Sequence, residues 1–141
     1  MVKTGSIETR ENASVNVERQ TNMTKRILMV DDEPDWRLIA GSYLEEAGYQ
    51  VVTAKNGPEA LLEMDRAKVD AVLLDINLGG ESGVALMGVL KSSHPNLPII
   101  LYTGMPHDHS EIEAMLKKGA HLYLRKRTMQ DLLHGVRSVL N

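Results

Sequence analysis

Three acidic residues, Asp31, Asp32 and Asp75, close two short apolar runs, and that placement suits a small metal site. Asp31 and Asp32 follow Ile27-Leu28-Met29-Val30, and Asp75 follows Ala71-Val72-Leu73-Leu74. Continuous apolar runs this short read as strands buried on both faces, as in parallel α/β sheets. Such sheets bind ligands beyond the carboxyl ends of their strands, where strand order reverses. With the two strands adjacent, three carboxylates share one cleft. Their mutual repulsion raises at least one pKa unless a cation lies among them. A hard, oxygen-seeking divalent ion such as Mg²⁺ resolves that conflict. One carboxylate is then available as a nucleophile.

The elements that must position these residues alternate five times from Lys25 onward. Strand-like runs cover 27–30, 51–54, 71–74, 99–102 and 122–124. Between them lie stripes at helical spacing. The first is Trp36, Ile39, Ala40, Tyr43, Leu44 and Ala47; the second is Ala60, Leu61, Met64 and Ala67. Val84, Met87 and Leu90 form the third, and Ile112, Met115 and Leu116 the fourth. Leu132, Leu133, Val136, Val139 and Leu140 form the last. Pro34 and Pro58 suit first helical positions, and Gly48 and Gly119 follow helix ends. Ser110 with Glu113 reads as a capping box, and Thr128 with Asp131 as a weaker one. Short connections imply right-handed β-α-β crossovers. The pattern predicts an α/β chain folded as a (βα)₅ doubly wound sandwich on a five-stranded parallel sheet.

Composition sets the outer bounds. The chain has 141 residues, of which 43% are hydrophobic and 25% charged, and suits one soluble domain. A formal net charge of −3 argues against nucleic acid as a partner. There are no cysteines, which excludes disulfides and thiolate zinc sites. No apolar run approaches the roughly 20 residues of a membrane span, and no signal-peptide core opens the chain. A cytoplasmic location is the expectation. Residues 1–24 are polar and aperiodic, and are expected to be a flexible tail ahead of one domain over 25–141. Met23 is a candidate alternative start.

In this register Thr103 closes the fourth strand and Lys126 follows the fifth, so both join the three carboxylates at one sheet edge. Here the chain resembles the receiver domain of bacterial two-component response regulators. Four segments carry the resemblance. They are Ile-Leu-Met-Val-Asp31-Asp32-Glu33, Val-Leu-Leu-Asp75-Ile-Asn77-Leu-Gly-Gly-Glu-Ser-Gly83, Ile-Ile-Leu-Tyr-Thr103-Gly104, and Gly119-Ala-His-Leu-Tyr123-Leu-Arg-Lys126. Each is weak alone; together, in order, they are specific.

The resemblance implies the flavodoxin-like strand order 2-1-3-4-5. It also implies a signalling switch rather than an enzyme, in which Asp75 accepts a phosphoryl group from a sensor histidine kinase or histidine phosphotransfer protein. Mg²⁺ would be held by Asp32, Asp75 and the backbone oxygen of Asn77, with Asp31 acting through water. Lys126 and Thr103 would meet phosphoryl oxygens, and Gly104 would leave room for the incoming imidazole. Autodephosphorylation would reset the site. Thr103 and Tyr123 would carry the switch to a downstream target protein on the face of the fourth helix, fifth strand and fifth helix. The implied receiver stands alone, without an output domain in the chain, and engages neither nucleic acid nor membrane.

Two positions depart from the family pattern. Gly79, with Gly80 behind it, stands where proline is usual, which implies a more mobile loop over the site. Arg127 replaces the proline after Lys126, which implies a trans bond there. Two rival functions fare worse. A haloacid-dehalogenase-type phosphatase needs a general-acid aspartate two residues after Asp75, where Asn77 stands. A flavodoxin-like cofactor binder needs a phosphate-cradling loop after the first strand, where Asp31-Asp32-Glu33-Pro34 would repel phosphate. His107 and His109 read as solvated loop residues, the basic flanks of Lys126 as solvated, and the helical methionines as core. Trp36, one turn beyond Asp32, is expected beside the cleft.

Overall fold

The computed structural model describes residues 24–141; the expected tail, Thr24 apart, and Met23 lie outside them. The five strands are β1 (Arg26–Val30), β2 (Gln50–Ala54), β3 (Ala71–Asp75), β4 (Ile99–Thr103) and β5 (Leu122–Arg125). The helices are α1 (Pro34–Glu46), α2 (Gly57–Arg66), α3 (Gly83–Ser93), α4 (His109–Lys117) and α5 (Met129–Leu140). All strand pairs of the main sheet are parallel, in the order β2-β1-β3-β4-β5. This is the doubly wound sandwich that the alternating pattern predicts.

Period-two alternation sends side chains to both faces of the sheet. Leu28, Val30, Val72, Leu74 and Leu101 pack with Ala60, Met87, Leu90 and Met115, which places α2, α3 and α4 on one face. Ile27, Met29, Leu73, Ile100 and Tyr102 pack with Ala40, Leu44, Leu132 and Val136, which places α1 and α5 on the other. β1, β3 and β4 are therefore covered on both sides, the reason their sequences are continuous apolar runs.

Three stripe residues are not in the core. Ile39 is 56% exposed, Leu61 41% and Leu116 40%. Each lies on the outer flank of its helix, where the edge of a broad apolar stripe stays in water.

The capping of α4 also differs from expectation. Asp108, not Ser110, is the N-cap: it accepts the Glu111 amide at 2.8 Å, and Glu111 accepts the Asp108 amide at 2.9 Å. The same spacing occurs two residues earlier with a carboxylate in the cap, which the positive helix end favours over a hydroxyl. Glu113 instead lies 3.3 Å from His109. Thr128 caps α5 as expected, accepting the Asp131 amide at 3.0 Å.

The connection after β3 holds a feature absent from the sequence reading. Asn77–Leu78 pairs antiparallel with Glu81–Ser82 around the turn Gly79-Gly80. Gly79 has φ +72°, in the left-handed region that proline cannot enter, so the glycine here builds a hairpin. Glu81 Oε1 anchors it by accepting the Gly57 amide at the start of α2, at 2.9 Å. The expected loop is thus a tied hairpin. The Lys126–Arg127 bond is trans.

Candidate functional site

β1 and β3 are neighbours with Val30 opposite Leu74, so Asp31 and Asp75 emerge together at the carboxyl edge. Ligand oxygens of Asp31, Asp32 and Asp75 all lie within 4.8 Å of one another. Asp31 is fully buried, Asp75 is 4% exposed and Thr103 1%, while Asp32 is open to solvent. Above them is a cleft of about 460 Å³, walled by Asp32, Glu33, Asn77, Gly79, Thr103, Gly104 and Lys126. The structure therefore brings every candidate of the phosphoacceptor set to one place.

Lys126 is the hub. Its ammonium lies 2.8 Å from Asp31 Oδ2, 2.9 Å from Glu33 Oε1 and 3.0 Å from Asp75 Oδ2. The Lys126 amide donates to the Thr103 carbonyl at 2.8 Å, which ties the end of β5 to β4 and aims the side chain across the edge. The rings of Trp36 and Tyr102 each stand with their centroids 5.1 Å from the ammonium. Trp36 is thus beside the cleft, as expected.

Asp75 has one oxygen on the Asn77 amide at 3.0 Å and the other on Lys126. Its carboxyl is held above the ordinary range chiefly by burial, which outweighs those two hydrogen bonds; the Asp31 charge adds a smaller push in the same direction. Repulsion, the cause the sequence suggests, is the lesser one. Burial works against the charged form of Lys126, yet its bonds to Asp31, Glu33 and Asp75 prevail and raise it above the lysine range.

Two participants escaped the sequence reading. Glu33 was visible only as part of the acidic run, and its pairing with Lys126 spans 93 residues. The Tyr102 phenol donates to Asp31 Oδ2 at 2.7 Å. The signal was present: a tyrosine inside an otherwise aliphatic strand needs a partner for its hydroxyl.

Of the switch candidates, Thr103 lines the cleft and Tyr123 sits further out. Thr103 Oγ1 accepts the Met105 amide at 3.0 Å, leaving its own proton free to donate into the cleft. Tyr123 is half-buried against the core, with its hydroxyl 2.8 Å from His107 Nδ1 and the rings edge-on at 5.7 Å. Burial raises the Tyr123 phenol above its ordinary range. His109 is solvated as expected but opens α4 rather than standing in the loop, and the expectation fails for His107, which Tyr123 covers.

The donor set fits Mg²⁺. It is all hard oxygen, and the Lys126 ammonium pairs with Asp31, Glu33 and Asp75, which with Asp32 makes four carboxylates to one ammonium and leaves the cleft negative.

Residues 27–137 match the family model of the response regulator receiver domain. The chain belongs to that family. Among curated receiver-containing proteins it is 34% identical over 116 residues to the nitrogen assimilation regulatory protein NtrX of Azorhizobium caulinodans. That match covers 79% of this chain and 25% of NtrX. It is 32% identical over 111 residues to the transcriptional regulatory protein GlrR of Escherichia coli, covering 77% of the chain and 24% of GlrR. The chain thus spans about a quarter of the relatives' length.

Solved structures agree. A CheY-like receiver domain protein from Methanospirillum hungatei superposes with a TM-score of 0.75 at 29% identity, covering 83% of this chain and 94% of that one. The chemotaxis protein CheY4 of Vibrio cholerae gives 0.76 at 27%, covering 82% and 98%. Receivers serve phosphorylation-dependent signalling as switches, not as turnover enzymes. Among the described residues, no helix is long and apolar enough to cross a membrane.

Proposed function

We propose that residues 25–141 form a receiver whose Asp75 takes a phosphoryl group from a phosphohistidine on a sensor kinase or histidine phosphotransfer protein. The observation that carries this reading is the state of Asp75. Its carboxylate lies on the floor of the cleft, with one oxygen on a backbone amide and the other on Lys126 at 3.0 Å.

In the transfer, an Asp75 oxygen forms a bond to phosphorus as the histidine N–P bond breaks. The electron pair returns to the imidazole, which leaves. Such transfers need positioning and charge neutralisation more than covalent help. Gly104, without a side chain, leaves an approach for the imidazole. Lys126 gives up Asp75 Oδ2 and pairs with a phosphoryl oxygen, and the Thr103 hydroxyl donates to another. Asp32, Asp75 and the Asn77 carbonyl would hold Mg²⁺, with Asp31 assisting through water. Bound there, the ion would supply positive charge to the phosphoryl oxygens. Water later attacks phosphorus, the P–O bond to Asp75 breaks, and inorganic phosphate leaves with the carboxylate restored.

The output is a changed protein-binding surface on α4, β5 and α5. Thr103, drawn toward the phosphoryl group, vacates space that the Tyr123 ring enters. Coupling energies of this kind are about 1–3 kcal/mol, so the unphosphorylated state samples the active form.

The experiment is labelling with a small phosphodonor or a phosphorylated kinase. The label should map to Asp75, require a divalent cation and be cleaved by hydroxylamine. Asp75→Asn should abolish it; persistent labelling of that variant at serine or threonine would sink the mechanism.

A further inference from the structure

The Tyr102 phenol and the Asp31 carboxylate form a buried pair at the back of the cleft, 2.7 Å apart. Tyr102 is 1% exposed and Asp31 is fully buried. Both Asp31 oxygens are engaged by protein donors. Oδ1 takes the Glu33 amide at 2.8 Å, while Oδ2 takes both the phenol and the Lys126 ammonium, the latter at 2.8 Å.

These donors differ in permanence. The ammonium is shared with Glu33 and Asp75 and sits on a flexible stem. The phenol cannot leave. Its ring stacks on Trp36 with centroids 6.2 Å apart, and its backbone lies opposite Asp75 in the sheet register. Whenever Lys126 turns away, Tyr102 is still donating to Asp31.

We propose that Tyr102 is a positioning residue that holds Asp31 back from the metal, so that the cleft binds Mg²⁺ more weakly than its carboxylates alone would allow. The inference rests on reading the cleft as a Mg²⁺ site. Its physical basis is competition for one oxygen. A hydrogen bond to a charged acceptor is stronger than a neutral one, and it occupies lone-pair density that a cation would otherwise use. It also fixes the carboxylate toward β4. Without the phenol, a fully buried anion loses a compensating donor, and a cation replaces it with gain.

The test is Tyr102→Phe in the full chain, which keeps the ring and its stacking and deletes only the donor. Mg²⁺ is titrated by Trp36 fluorescence and, independently, by the rise in melting temperature. The variant should bind Mg²⁺ about three- to tenfold more tightly than the unaltered protein, as loss of one such hydrogen bond implies. In an Asp31→Asn background the same substitution should change affinity less than about twofold, since the two act through one contact. Unchanged or weaker binding by Tyr102→Phe overturns the inference, as does equal tightening in both backgrounds. If Tyr102→Phe fails to fold, Tyr102→Leu carries the same comparison. Absence of Mg²⁺ binding by the unaltered protein would instead overturn the reading of the site itself.

Discussion

Gly83 packs against the back of Asp75 so closely that a β-carbon would lie 2.0 Å from the Asp75 carbonyl oxygen and 2.8 Å from Ile76 Cα. The Gly83 amide donates to the Ile76 carbonyl at 2.7 Å, so α3 starts hard against the end of β3. Both obstacles are backbone and cannot swing aside. Gly83→Ala should therefore cost about 1–3 kcal/mol, as overpacking does, and displace Asp75. Chemical denaturation measures the first effect, and the rate of Asp75 labelling in the folded variant the second. A variant with unaltered stability and labelling would show that the contact yields freely.

Asp32 is the open carboxylate of the trio proposed to hold Mg²⁺. Mg²⁺ should bind weakly and raise the melting temperature, because binding to the native state alone stabilises it. Asp32→Ala should abolish most of that rise. In metal-free buffer the same substitution should leave stability unchanged or raise it, since it removes one repelling charge. Trp36 lies close enough to Lys126 that its fluorescence should follow Mg²⁺, and again a beryllofluoride phosphoryl mimic. Mg²⁺ protection undiminished in Asp32→Ala would move the site elsewhere.

Lys126 neutralises Asp31 and Asp75 with a side chain only 10% exposed. Lys126→Ala leaves those anions buried without their ammonium, and should cost at least about 2 kcal/mol in metal-free buffer. Mg²⁺ should restore more stability to this variant than to the unaltered protein, because the competing cation is gone. A melting-temperature titration with Mg²⁺ decides the point. Equal increments in the two proteins would mean that Lys126 and the metal do not compete.

The fold was legible because its strands are buried on both faces and its helices carry apolar stripes, patterns that survive without coordinates. Asp31, Asp75, Thr103 and Lys126 were legible for a related reason: each stands at a strand end, and parallel strands deliver their ends to one edge. What escaped depended on side-chain reach. Glu33 meets Lys126 across 93 residues, and Tyr102 meets Asp31 across 71. No local period encodes such pairs. The Gly79-Gly80 hairpin was not legible because glycine permits both looseness and a specific left-handed turn, and the pairing of Asn77–Leu78 with Glu81–Ser82 appears only in the structure. The cap of α4 was misplaced because two boxes of the same spacing overlap, and only the chain direction at Asp108 selects one.

Thr103 and Tyr123 offer the sharpest separation of chemistry from signalling. Thr103 accepts the Met105 amide with its own proton free to donate, whereas Tyr123 must loosen its 2.8 Å bond to His107 to move inward. Thr103→Ala keeps Asp75 and the carboxylates proposed to hold Mg²⁺, and should still accept phosphate while losing the phosphoryl-dependent change in partner affinity. Tyr123→Ala should do the same, because its ring is outside the cleft. His107→Ala acts in the opposite sense. It deletes the partner that holds Tyr123 at the surface, so the inward position should be more populated and partner affinity without phosphoryl mimic should rise. Net hydrogen bonds of this kind are worth about 0.5–1.5 kcal/mol, which predicts a rise of roughly two- to tenfold. The measurement is partner affinity with and without beryllofluoride for all three variants. If Thr103→Ala and Tyr123→Ala keep the full affinity ratio, the coupling does not run through β4 and β5. The hairpin tied to α2 by Glu81 would then be the element left to carry it.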